Sequence, residues 1–115
     1  MDAHDFVTLS VRREIGFSSP RPPQDVVGDF LAALSRELRK AGCTMVGHIK
    51  GVVEDGSGSP LFFSLTSLDT SPRYNGGPLR PGSASLLSMN VIVAGIERDT
   101  VAAICEDAAE VFIRA

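Results

Sequence analysis

No stretch of the 115-residue chain approaches the run of about 18 apolar residues that a membrane-spanning helix requires, which excludes a helical membrane protein. Residues 1–5 have neither the basic start nor the apolar run of a secretory leader, so a cytoplasmic location is expected. Cysteine is scarce. Cys43 and Cys105 stand far apart, without a CxxC pair or a neighbouring His, and this excludes zinc-finger spacing and a thioredoxin-like redox pair. Both are expected to be thiols in apolar surroundings, Cys43 opening a strand and Cys105 on the stripe of the last helix. A field of positive charge is also missing. The net charge of −3 divides into about +1 over residues 1–50 and about −4 over the remainder, so a nucleic-acid partner is not expected.

Motifs that announce chemistry are missing too. No serine sits in a GxSxG elbow, and no Asp/Glu cluster has calcium or zinc spacing, so no metal and no cofactor are expected. Gly56-Ser57-Gly58-Ser59-Pro60 lacks the third glycine of a dinucleotide fingerprint. The glycine-rich stretch from Gly76 to Gly82 lacks the Lys-Ser/Thr that closes a phosphate loop. Neither internal repeats nor heptads are present.

What is present is an ordinary globular composition, 43% hydrophobic and 22% charged, in a chain long enough to bury a core without disulfides or metal. One α/β domain over residues 1–115 is expected. Residues 6–15 alternate, with Val7, Leu9 and Val11 facing one way and Thr8, Ser10 and Arg12 the other, as in a half-buried strand. Pro20, Pro22 and Pro23 deny that strand a continuation and suit a helix lead-in. Over 24–41 the apolar positions Val26 or Val27, Phe30, Leu31, Leu34 and Leu38 recur at three and four, and Gly42 supplies a left-handed stop. Strands are expected at 43–54, 60–68 and 84–96, the first two joined through Asp55-Gly56-Ser57-Gly58-Ser59. A second amphipathic helix from Glu97 or Arg98 to Ala115 directs Val101, Ile104, Cys105, Ala108, Val111 and Phe112 inward. Residues 69–83, rich in Gly and Pro, read as a long loop.

The expected fold class is therefore α+β, a two-layer sandwich in which one mostly antiparallel four-stranded sheet carries both helices on one face, in the order β-α-β-β-β-α. This order resembles the small α/β topology of double-stranded-RNA-binding domains and of ribosome-hibernation factors. The resemblance covers element order alone. Because the last helix is acidic, through Asp99, Glu106, Asp107 and Glu110, it implies the fold and carries over no RNA contact.

Strand parity then separates two sheet faces. One is coherent core: Met45, Ile49, Val53, Leu61, Phe63, Leu65, Leu87, Met89, Val91 and Val93. The other mixes apolar Phe6, Val46, Val52, Phe62, Leu86 and Ile92 with His48, Lys50, Arg12, Ser64, Thr66 and Asn90. The first six are interface candidates, since a large apolar patch in water marks a contact surface. The polar six, joined by Arg73, Tyr74 and Arg80 of the loop, are candidates for binding a small anion, and His48 is the one candidate general base. Gly47 and Gly51 belong by parity to the helix-packed face. The expected function is a small non-catalytic module that oligomerises or binds a protein partner through the mixed face, with the 69–83 loop adding contacts. The alternatives are a sensor for a small anionic metabolite or nucleotide, and a small enzyme using His48.

Overall fold

The computed structural model describes residues 5–17 and 20–112. In chain order these form β1 (Phe6–Gly16), α1 (Pro23–Lys40), β2 (Met45–Glu54), β3 (Leu61–Leu65), β4 (Arg73–Gly76), β5 (Ala84–Ala94) and α2 (Arg98–Phe112). The strands make one antiparallel sheet in the order β1-β5-β2-β3-β4. Residues of both helices and of one parity of the sheet share a single core, so the architecture is the expected two-layer α+β sandwich. The sheet has five strands, not four. The additional one, β4, lies inside the stretch read as a loop and pairs with β3 from Leu61↔Gly76 to Ser64↔Arg73. Four residues between Pro72 and Gly77 are too few to show a period, and the free edge of β3 supplies what local pattern does not. With β4 in place, the element order departs from that of the double-stranded-RNA-binding and hibernation-factor topology.

Helix α1 begins where the prolines allow it. Pro23 occupies its first turn, and the carbonyl of Pro22 accepts from the N–H groups of Asp25 and Val26 at 3.0 and 3.3 Å. Its buried stripe runs through Val26, Val27, Phe30, Leu31, Leu34 and Leu38, and Gly42 at φ +98° ends it. On α2, Val101, Cys105, Ala108 and Ala109 are buried and Ile104 is half-buried. Val111, expected inward, is 65% exposed, because it lies seven residues from Ile104 at the margin of the stripe, beside the groove between the helices. The side chain of Phe112 and residues 113–115, which belong to the expected helix, lie outside the described residues.

A bulge in β2 sets which side chains leave the core. Val46 pairs with Val93 and His48 with Ile92, so Gly47 is an extra residue and the alternation reverses across it. Val46, expected on the mixed face, therefore packs against the core, and Met45, expected in the core, is 54% exposed. A Cβ on Gly47 would meet Ile92 Cγ2 at 2.9 Å, on the side opposite to that expected for this glycine. Gly51 does face the helices. It pairs with Phe63, whose ring takes the space of the missing side chain, and a Cβ there would also lie 2.7 Å from the Ser88 carbonyl oxygen.

The 69–83 segment is held down rather than free. Besides β4, it buries Leu79, and the N–H of Gly82 donates to the Phe17 carbonyl at 2.8 Å. The Arg80 N–H donates to the Asp55 carboxylate, also at 2.8 Å.

Candidate functional site on the open sheet face

Register alone lays out the face that the helices leave uncovered. Strands about 4.8 Å apart bring side chains of one row next to each other across the sheet. Ser10, Asn90, Lys50, Ser64 and Arg73 make one row spanning all five strands. Beside it lies a row of Arg12, Ser88, Val52, Phe62 and Asn75, and beyond that Glu14, Leu86 and Glu54. On the other flank Thr8, Ile92 and His48 are neighbours. Thr66 follows the last residue of β3 and is exposed.

Most of the candidate residues are thus brought together. Arg12, His48, Lys50, Ser64, Asn90 and Arg73 share the open face, as do the interface candidates Phe6, Val52, Phe62, Leu86 and Ile92. Three are not. Val46 is turned inward by the bulge. Tyr74 pairs with Phe63 and packs against the core, where burial, and then the nearby Asp25 and Asp29, push its hydroxyl pKa up. Arg80 is drawn off to Asp55. That carboxylate is almost fully enclosed, accepts from the Ser57 N–H at 2.9 Å as well as from Arg80, and is held down at about 2, the Ser57 side chain being the largest cause. Asp55 and Arg80 clasp the β2–β3 turn to the segment after β4, a structural role. Sequence reasoning missed Asn75, Glu14 and Glu54. Carrying the parity of β1 and β2 two residues further would have found the two acids; nothing local marks Asn75, which reaches the face only because β4 pairs.

The electrostatics of this face differ from those of the remaining surface. Arg13 of β1 points to the helix side and forms ion pairs with Glu106 and, at 2.6 Å, Glu110 of α2. Arg21 pairs with Asp29, Arg39 with Asp69, and Lys40 and Arg36 approach Glu37 at 3.6 and 3.8 Å. Arg98 donates to the Thr8 carbonyl on the outer edge of β1. Among the described Arg and Lys side chains, only Arg12, Lys50 and Arg73 have no ion-pair or hydrogen-bond partner, and all three lie on the open face. Glu14 and Glu54 on the same face likewise have none within the described chain. Ser10 donates to Asn90 Oδ1 at 2.8 Å, fixing that side chain within the polar row.

Two shallow depressions of about 440 Å³ each flank the centre of this face. One lies among Ser10, Arg12, Lys50, Phe62, Ser88 and Asn90, and the other among Lys50, Phe62, Ser64, Arg73 and Asn75. Phe62, 50% exposed, stands between them. His48 has no carboxylate or other hydrogen-bonding partner among the described residues, so nothing there orients its ring for proton transfer. No cluster of three or more potential metal ligands occurs among the described residues. Cys105 is buried and its thiol is pushed up to about 11, first by burial and then by Glu106. Burial also raises that of Cys43, and both are free thiols. No helix among the described residues is long and apolar enough to cross a membrane.

No family model matches the chain, and no curated protein matches it. Two solved structures are similar to it: the Zn(II)-bound YjiA GTPase from E. coli, and a Zn(II)-bound triple mutant of YjiA GTPase. Each is 18% identical, with TM-scores of 0.44 and 0.46, over 88% and 94% of this chain. The chain spans only 29% and 30% of the length of those proteins. Likeness of that degree assigns neither a ligand nor an activity.

Proposed function

We propose that the protein is a small non-catalytic module that self-associates through its open sheet face. The observation that carries this reading is Phe62: a half-exposed ring on β3, beside half-buried Val52 of the central strand β2, that no part of the described chain covers. A free sheet edge is a weaker candidate for the contact, because Arg98 occupies an outward carbonyl of β1. Closed two-fold dimers are the commonest homo-oligomers and hide one such face on each copy. In the same reading the module works in the cytoplasm, where the free Cys43 and Cys105 stay reduced.

Light scattering across micromolar concentrations tests this reading. Phe62→Asp is expected to yield the 12.2 kDa monomer where the unaltered chain gives twice that mass. Val111→Asp, at a still more exposed apolar residue on the helix side, is expected to change nothing. A Phe62→Asp protein with unchanged mass overturns the assignment of the face.

A second reading, binding of a small anionic metabolite or nucleotide, is favoured by the three partnerless cations and the two depressions beside Lys50. Under it, an anionic ligand raises the melting temperature and Lys50→Ala abolishes the rise. The enzymatic reading through His48 has less support, since that ring lacks an orienting partner.

A further inference from the structure

The charges of the open face are ordered along the strands, and the order suits one particular partner. Lys50 and Glu54 lie on β2, the central strand, at equal distances on either side of Val52. All three point to the open face, and neither charge has a partner in its own chain among the described residues. A two-fold axis in the plane of the interface, running across the strands at Val52, keeps each strand over its own copy and inverts the order along it. Val52 then meets the partner's Val52, Phe62 lies beside the partner's Phe62, and Lys50 meets the partner's Glu54 while Glu54 meets the partner's Lys50. Resting on the self-association proposed above, we infer that the occupant of this face is a second copy of the chain, held in register by two reciprocal Lys50–Glu54 pairs flanking an apolar centre of Val52 and Phe62.

Charge and size both argue for a second copy. On the central strand the cation Lys50 precedes the acid Glu54 by four residues, so a copy turned about that axis is complementary along β2, whereas a uniformly acidic partner would meet Glu14 and Glu54 unfavourably. Strands of 11, 10, 5, 4 and 11 residues, at about 4.8 Å spacing and about 3.3 Å per residue, give a footprint on the order of 650 Å², near the ~800 Å² per partner of a standard interface. Arg12 and Arg73 fall in the outer columns, where a rim stays in water and like charges are screened. Sheets packed face to face keep their strands within about 30° of each other, which this axis permits.

A charge swap tests the register. Lys50→Glu and Glu54→Lys are each expected to weaken the dimer at least tenfold by sedimentation or light scattering. The double variant, Lys50→Glu with Glu54→Lys, should recover to within about threefold of the unaltered chain. Both residues are exposed, and melting curves of the single variants confirm that the monomer still folds. If the unaltered chain dimerises and Phe62→Asp abolishes this, but the double variant is no tighter than the singles, the inferred register is wrong and self-association through the face stands. If the unaltered chain is a monomer at every concentration, the underlying reading falls and the register with it.

Discussion

The two faces of the sheet share strands, length and twist, yet they spend their side chains differently. On the helix side, Ile49, Val53, Leu61, Leu87, Val91 and Val93 are sealed, and the cation that points that way, Arg13, is clasped by two glutamates of α2. On the open side, apolar residues stay half in water, and Arg12, the residue just before Arg13 on β1, has no partner in its own chain among the described residues. One residue's shift along a strand thus separates a satisfied cation from a free one. The helix face is sealed within the monomer, and the open face is the one proposed to receive a second copy.

Truncations to alanine on the two faces test this contrast most strongly, the larger one falling on the open face. Leu34→Ala, in the sealed layer, is expected to cost about 2–5 kcal/mol in denaturant unfolding. Phe62→Ala, measured at concentrations low enough to hold the monomer, is expected to cost under about 1 kcal/mol, because half of its ring is already in water. Comparable losses at the two sites would mean that the faces are equally packed. Next in size is Gly51→Ala, which presses a methyl group against Phe63 and the Ser88 carbonyl and is expected to cost about 1–3 kcal/mol. Phe63→Leu in the same background should return part of that loss, since it removes the ring that occupies the space.

The adjacent arginines of β1 differ in the same way. Arg13→Ala is expected to lose up to about 1 kcal/mol through its partly enclosed pairs with Glu106 and Glu110, and Arg12→Ala close to nothing in the monomer. Equal effects would remove the distinction drawn between them. The smallest effect is one of pH. The Asp55 carboxyl is held at about 2 in the folded chain, below its ordinary 3.8, so its contribution to stability is complete above pH 4 and fades as pH falls through about 2. Unfolding midpoints of the unaltered chain and of Asp55→Ala should therefore differ at pH 7 and converge toward pH 2; a gap that persists at pH 2 would contradict the clasp.

The two-layer class, both helices and four of the strands were legible because each carries a full period of burial: Phe30, Leu31, Leu34 and Leu38 in one, and Val7, Leu9 and Val11 in another. The open face was legible for the same reason wherever the alternation runs unbroken, at Lys50, Val52, Phe62, Ser64 and Asn90. It failed at Val46, where a single bulged glycine reverses parity, and a glycine in a strand does not announce which way it bends. It failed also at Tyr74 and Arg80, since a Gly/Pro-rich stretch carries no period until β3 offers an edge, and pairing then turns Tyr74 inward and Arg73 outward. The enclosure of Asp55 joins two segments far apart in sequence, which no local pattern encodes.

Self-association through the open face is read from the solution mass of the unaltered chain, followed by light scattering from low to high micromolar concentration. A closed dimer gives a rise from 12.2 kDa to twice that value, with no larger species. A mass that stays at 12.2 kDa throughout would contradict it, and the partnerless cations of the open face would then have to be explained by a partner other than the chain itself.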